Sequence, residues 1–288
     1  MLEYIIFRAA NSLVGHLPYP VLYWLAARVA WILENVIRYR KDVLEKNLAK
    51  CFPDLSETEL KKIGSENYLN LAVVLLETFK GNIFSENELN EHFKIENEEI
   101  LDQSFEKGRD IMIVTSHFNN WEWAALAIGR LKFDSWAVYK PLKNKRISDY
   151  IVRSRERTGL QLLPIKMTRK ITEPHGSLPR SFMFIADQSP SNMKDAIWVD
   201  FLGRKTPCLH GPEKYARKMD LDVYFASIYR EQQGYYKLVF RPVTKSPNET
   251  PYGFITKSFM GMLEHDVRQS PSDWVWTHKR WKRVKEDQ

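Results

Sequence analysis

Residues 115 to 126, TSHFNNWEWAAL, set a histidine and a glutamate in the spacing His-x-x-x-x-Glu, directly after the apolar run DIMIVTS. Histidine is the side chain whose ordinary pKa lies nearest neutrality. With a carboxylate fixing one ring nitrogen, the other is free to take a proton from a hydroxyl. Five residues apart on one ideal helix lie on different faces. A histidine in the loop before a helix and a glutamate in its first turn can nevertheless meet, so His117 and Glu122 form a candidate dyad. The bare spacing also arises wherever a histidine is merely hydrogen-bonded near a helical glutamate, so its meaning depends on what surrounds it. No GxSxG elbow for a serine nucleophile occurs, and no HExxH metal motif. His16, His92, His175, His210 and His265 stand in no metal-ligand pairing, so neither a metal nor another bound cofactor is expected.

The elements that must carry this pair are legible as hydrophobic patterns. From about residue 93 onward, short apolar runs alternate with helical or turn-rich segments: DIMIVTS, SWAVYK, LQLLPI, SFMFIAD, AIWVDFL, DVYFASIYR and YYKLVFRPV. This alternation predicts an α/β fold, a central and mostly buried sheet flanked by helices. His117 then falls at the carboxyl edge of a strand, where open α/β sheets gather ligands. Asn119 is positioned to cap the helix that follows, which puts Glu122 in the first turn. Residues 57–80 show helical spacing of Leu60, Ile63, Leu71, Val74, Leu75 and Phe79, with Ser56 as N-cap and Gly81 as stop.

The N-terminal region reads differently. LPYPVLYWLAARVAWILENVI, residues 17–37, is apolar around most of a helix but contains Pro18, Pro20, Arg28 and Glu34. A spanning helix wants about 20 apolar residues with few charges, and a central arginine costs roughly 2.5–3.5 kcal/mol on insertion scales. Tyr19, Tyr23, Trp24 and Trp31 suit the headgroup level, and Arg38, Arg40 and Lys41 follow where anionic lipid would meet them. The segment fits a helix lying in one leaflet and equally a helix buried against the domain. The start of the chain lacks the layout of a cleaved signal peptide. Residues 1–45 are accordingly expected to form a membrane-associating helical segment and residues 46–288 a catalytic domain.

Several further motifs occur in a fixed order along the chain: RYRKDVLEKNLAKCFPDLSETEL at 38–60, SHFNNWE, RSRERTG at 153–159, IADQSP at 185–190, VDFLGRKTPCLHGPEKYAR at 199–217 and DWVWTHKRWKR at 273–283. In this order they resemble the bacterial lipid A biosynthesis (late) acyltransferases, within the lysophospholipid acyltransferase superfamily. The resemblance implies transfer of a fatty acyl chain from a thioester, on acyl carrier protein or coenzyme A, to a hydroxyl of a lipid A precursor in lipopolysaccharide biosynthesis. It implies His117 as general base and Glu122 as its orienter. It also implies a bacterial inner-membrane location at the cytoplasmic face. Arg155, ahead of Gly159, is the arginine the family pattern selects; its planar, permanently charged fork suits a phosphate or a developing oxyanion. Arg153 and Arg157 read as a solvated helix face. Asp187 and Gln188 end a strand and could hold an acceptor sugar or order loops around His117, or form an ordinary strand-end turn. Lys205 in GRKTP suits an anion, or is plain surface charge.

With 43 Lys and Arg against 36 Asp and Glu, the net charge is +7, which favours anionic partners: a phosphorylated lipid, an acidic carrier protein, a membrane surface. The aromatic and basic C-terminal block would also suit nucleic acid, but no nucleic-acid module is recognisable and the basic residues are dispersed, so none is expected as a partner. Cys51 and Cys208 lie far apart, without a CxxC pair. Alternatives to a lipid A acceptor are a lysophospholipid, an aminoacyl lipid or another glycolipid, and a binding module that has lost catalysis.

Overall fold

The computed structural model describes residues 1–173 and 176–283; His175 lies outside the described residues. Its helices are α1 (Leu2–Gly15), α2 (Tyr19–Trp31), α3 (Lys41–Cys51), α4 (Glu57–Gly81), α5 (Glu86–His92), α6 (Asp102–Glu106), α7 (Trp121–Ile128), α8 (Lys145–Glu156), α9 (Gly211–Met219) and α10 (Phe254–Gln269). The strands are β1 (Phe93–Ile95), β2 (Ile111–Thr115), β3 (Asp134–Tyr139), β4 (Gln161–Pro164), β5 (Arg180–Ile185), β6 (Ile197–Phe201), β7 (Arg204–Cys208), β8 (Asp222–Gln232) and β9 (Tyr235–Thr244). Seven strands make one sheet in the order β1-β9-β8-β2-β5-β3-β4, parallel except for the β8–β9 hairpin. The α/β expectation is met. AIWVDFL is the departure: it leaves the sheet and pairs with β7 as a separate two-stranded hairpin.

The centre of the sheet explains where the chemistry can sit. All five residues of β2 are buried, as are five of the six in β5, and these two strands run in parallel register from Ile111↔Ser181 to Thr115↔Ile185. Because both faces are covered, the apolar runs are continuous instead of alternating. Both strands therefore end at the same edge. The loops that leave it begin with Ser116-His117 on one strand and Ala186-Asp187-Gln188 on the other.

Helix α4 runs the length of this core. It begins at a reciprocal capping box, in which the Ser56 side chain accepts from Glu59 N–H while the Glu59 carboxylate accepts from Ser56 N–H. Near its other end lies Glu77, fully buried. Its carboxylate accepts from Tyr23 Oη on α2 (2.9 Å), Asn120 Nδ2 at the start of α7 (2.8 Å) and Tyr236 Oη on β9 (2.7 Å). Burial raises the Glu77 pKa, and the three donors and nearby Arg230 oppose that rise. Removing the carboxylate strands the buried donors of Asn120 and Tyr236 and the partly buried Tyr23 hydroxyl, each buried one costing about 1–3 kcal/mol. Glu77→Ala is therefore expected to lose roughly 3–5 kcal/mol of stability, measured by denaturant unfolding, while Glu77→Gln should lose less.

Helix α2 of the N-terminal segment packs one face against the core. Leu22, Ala26 and Ala30, spaced by one helical turn, are buried and belong to the core packed around α4. On other faces Trp24 and Trp31 are each 60% exposed. One stripe thus serves the core, while the open face sets Trp24 and Trp31 on either side of exposed Arg28, whose guanidinium lies 5.2 Å from the centre of the Trp24 ring. After Trp31 the helix widens into a single π-turn, closed by Ile37 N–H donating to Ile32 O, and the chain turns by 91° into α3. Among the described residues no single helix is long and apolar enough to cross a membrane; only the bent pair Tyr19–Val36 and Lys41–Cys51 has the length and composition together.

Candidate active site

His117 sits on the loop between β2 and α7. Its ring Nδ1 lies 2.8 Å from Asp187 Oδ1, and its backbone N–H donates to Asp187 Oδ2 at 3.0 Å. Asp187 Oδ2 also accepts from Trp274 Nε1 at 2.8 Å. The side chain of Asp187 is 3% exposed and that of His117 21%, so the carboxylate is enclosed while part of the imidazole faces outward. Burial alone would raise the Asp187 pKa, but the charge and hydrogen bonds of His117, joined by the Trp274 indole, hold it at about 2. For His117, burial works against the imidazolium, and the charge and hydrogen bond of Asp187, with a contribution from Glu122, raise its pKa above the ordinary histidine value.

The tautomer follows from these contacts. An ionised carboxylate is acceptor-only, so Nδ1 must carry the proton and Nε2 the lone pair. Gln188 Nε2 lies 3.2 Å from His117 Nε2 and 3.5 Å from Nδ1, so the amide rests against the ring and off the line of the Nε2 lone pair. The nitrogen left with a lone pair is the one that faces away from Asp187, as a general base requires.

Glu122 occupies a neighbouring position with different partners. It lies in the first turn of α7, as expected, and its carboxylate is ion-paired with Arg155 of α8 and accepts from Trp121 Nε1 at 3.1 Å. The Trp121 ring packs edge-on to His117, with centroids 5.2 Å apart. The carboxylate hydrogen-bonded to His117 is therefore Asp187, and Glu122 is turned towards α8. The physical reason is directional: Nδ1 points across the sheet edge to the end of β5, whereas the first turn of α7 faces Arg155. Arg155 in turn is directed at a carboxylate. The turn after it closes at Gly159, where φ is +89° and an added Cβ would sit 2.6 Å from Gly129 O, a place no other residue fits without displacement.

The helix cap also differs from expectation. Asn120, not Asn119, caps α7, accepting from Trp123 N–H at 2.9 Å. Asn119 takes a left-handed conformation (φ +50°) and donates to Ile228 O at 2.9 Å. This kink lets the chain leave β2, expose His117 and still start a capped helix. Lys205 lies on the exposed surface of the β6–β7 hairpin and is paired with Asp200 at 2.9 Å; no hydrogen bond or ion pair among the described residues joins it to His117. Arg157 is not a plain solvated charge, since it donates to the backbone carbonyls of Ser154, Gly81 and Phe84. Arg153 is exposed.

Trp274 and His278 are the residues that spacing alone does not place here. His278 is close enough for the charges of Asp187 and His117 to act on it; burial pushes its pKa down to about 4, and its buried Nδ1 has no hydrogen-bond partner among the described residues. Among the described residues, no three His, Cys, Asp or Glu side chains converge as a metal site would need.

Residues 2–283 match the family described as bacterial lipid A biosynthesis acyltransferase. The chain belongs to that family. It is 23% identical over 271 residues to the lipid A biosynthesis palmitoleoyltransferase of Escherichia coli (strain K12), covering 92% of this chain and 86% of that protein. To the lipid A biosynthesis lauroyltransferase of the same strain it is 24% identical over 285 residues, covering 94% and 88%. A lipid A biosynthesis acyltransferase of Haemophilus influenzae is 24% identical over 274 residues, covering 92% and 86%. The family match takes in all of the motifs singled out above, from the N-terminal helices to the Trp-rich C-terminal block.

Proposed function

We propose that the protein transfers a fatty acyl group from an acyl thioester to a hydroxyl of a lipid A precursor, with His117 as general base and Asp187 as the carboxylate that orients it. The observation that carries this reading is the 2.8 Å contact between Asp187 Oδ1 and His117 Nδ1, which leaves Nε2 as the proton acceptor. Membership of the family supplies the reaction class. In the reaction, the acceptor hydroxyl approaches Nε2 and gives up its proton there as its oxygen attacks the thioester carbonyl. The carbon–sulfur bond then breaks, and the departing thiolate recovers the proton from the His117 imidazolium. Asp187 stabilises that imidazolium while it exists.

Glu122 and Arg155 have supporting parts in this scheme. Their ion pair ties α8 to the first turn of α7 and so holds the loop that carries His117. The remaining guanidinium N–H groups of Arg155 are available to a phosphate of the acceptor. Acyl carrier protein, being acidic, suits the net charge of +7 as the donor's carrier. The purified protein, given a lipid A precursor and a fatty acyl thioester, is expected to form an ester detectable by mass spectrometry, faster with acyl carrier protein than with coenzyme A as the carrier. Ester formed only on a lysophospholipid or another glycolipid would move the assignment to that acceptor. Vesicle binding without transfer from any thioester would leave a binding module.

The membrane surface, at the cytoplasmic face of the bacterial inner membrane, is proposed as the place of action. Ile5, Ile6, Leu13, Trp24, Trp31 and Ile37 are exposed on the N-terminal helices, and Arg38, Arg40 and Lys41 follow. Exposed apolar side chains in this number, with basic residues among and after them, suit burial at the headgroup and acyl boundary. Each tryptophan so buried contributes about 2 kcal/mol. The double substitution Trp24→Glu, Trp31→Glu is expected to weaken binding to anionic vesicles by at least about a hundredfold, without unfolding the protein. Unchanged co-sedimentation would remove these residues from the contact.

A further inference from the structure

The carboxylate that orients His117 is itself held from outside the loop pair. Two of its contacts, the Nδ1 bond and the backbone N–H bond, both come from His117. They move with that residue and cannot fix the carboxylate independently of it. The third comes from a distant segment of chain: Trp274 Nε1 donates to Oδ2 at 2.8 Å.

The segment that delivers the indole is anchored with unusual thoroughness for a loop. Its backbone pairs antiparallel with the catalytic loop through Phe118 and Trp274, with Asn119 N–H donating to Asp273 O (2.9 Å) and Val275 N–H donating to His117 O (3.1 Å). From the opposite side, α3 and α4 supply three side-chain amides. Asn67 donates to Ser272 O (2.8 Å) and Trp274 O (2.5 Å), Asn70 to Asp273 O (3.1 Å), and Asn47 to Trp276 O (3.0 Å) and His278 O (3.1 Å). The indole is wedged edge-on against Phe201, Trp276 and Trp281, at centroid distances of 5.5, 4.7 and 6.2 Å. Packing of this kind leaves the N–H one direction in which to point.

We propose that Trp274 is a positioning residue for the His117–Asp187 pair, its indole N–H fixing the plane of the Asp187 carboxylate so that Oδ1 faces Nδ1, and that residues 272–281 form the strap that holds it there. The proposal rests on the acyltransferase reading for its kinetic consequence but not for its geometry. Other charged or titratable groups act on the pair, namely Glu122 on His117, and His278, Arg280 and Cys208 around Asp187. A valid test must leave all of them unchanged.

Replacement of Trp274 by 3-benzothienyl-alanine in the full-length protein meets that condition, because sulfur replaces the N–H and the ring shape is retained. Two quantities are read on the wild-type and substituted proteins: the kinetics of acyl transfer and the titration of His117 by nitrogen NMR of labelled imidazole. Loss of one hydrogen bond to a charged group carries an effect of about tenfold. We expect kcat to fall by that amount with KM unchanged, and the His117 titration to move down as the carboxylate loses alignment. A kcat equal to wild type, or a His117 titration that stays in place or moves up, would overturn the proposal, since the indole would then only share the carboxylate's charge. The titration is read whether or not the protein transfers acyl groups, so failure of the functional reading leaves this test standing.

Discussion

His117→Ala is expected to lower the rate of acyl transfer by about 10²- to 10⁴-fold, the usual contribution of a positioned general base. The ring is 21% exposed at a loop, so its loss leaves no large cavity, but it strips the enclosed Asp187 carboxylate of its charged partner, so thermal stability should fall while vesicle binding changes little. The effect should lie in kcat, because the proton is taken as the acceptor oxygen attacks and not when it binds. Retention of transfer near the wild-type rate would exclude His117 as the base.

Asp187→Asn is expected to cost nearly as much, about 10²- to 10⁴-fold, although it changes a single atom. The reason is the tautomer. An amide in place of the carboxylate can accept the His117 backbone N–H with its oxygen only by turning its NH₂ towards Nδ1. That places a donor where an acceptor stood, shifts the ring proton to Nε2 and blocks the nitrogen that must act as base. The pH dependence adds a second readout. Because Asp187 raises the His117 pKa, the acid limb of kcat/KM in the wild-type protein should have its midpoint above the ordinary histidine value of about 6.5. Activity rises with pH as the imidazolium loses its proton, and in Asp187→Asn any remaining limb should move down. Linkage to stability runs in the matching sense. The depressed Asp187 pKa contributes stability that is complete above its unfolded value of about 3.9 and is lost as pH falls towards 2. The raised His117 pKa contributes stability below about 6.5 that is lost as pH rises through its folded value.

Much of this arrangement is legible in the order of the amino acids, and the exceptions share a cause. Apolar runs such as DIMIVTS and SFMFIAD locate the two central strands, because a buried parallel strand needs no partner information to betray itself. The capping box at Ser56 and Glu59 locates α4 for the same local reason. AIWVDFL satisfies the same strand pattern, but nothing in a single run says which sheet it joins; pairing with GRKTP draws it into a separate hairpin. The candidate site divides along the same line. Local pattern places His117, Asp187 and Gln188 at strand ends, and Glu122 in the first turn of α7. Spacing cannot choose the carboxylate that meets the histidine, since Asp187 lies 70 residues away along the chain and Trp274 a further 87. Glu122 is nearer in sequence but faces Arg155. The N-terminal helix is ambiguous as a sequence because it has apolar residues on two sides, and only packing shows that Leu22, Ala26 and Ala30 meet the core while Trp24 and Trp31 stay exposed beside Arg28.

The most direct test of the central claim is lipid mass spectrometry of host membranes carrying the wild-type gene, the His117→Ala gene and no gene. The account predicts that lipid A lacks one acyl chain in both altered strains and is complete in the first. Lipid A that remains complete in both altered strains would contradict it, and a different lipid lost in the same two strains would identify the acceptor that the dyad serves.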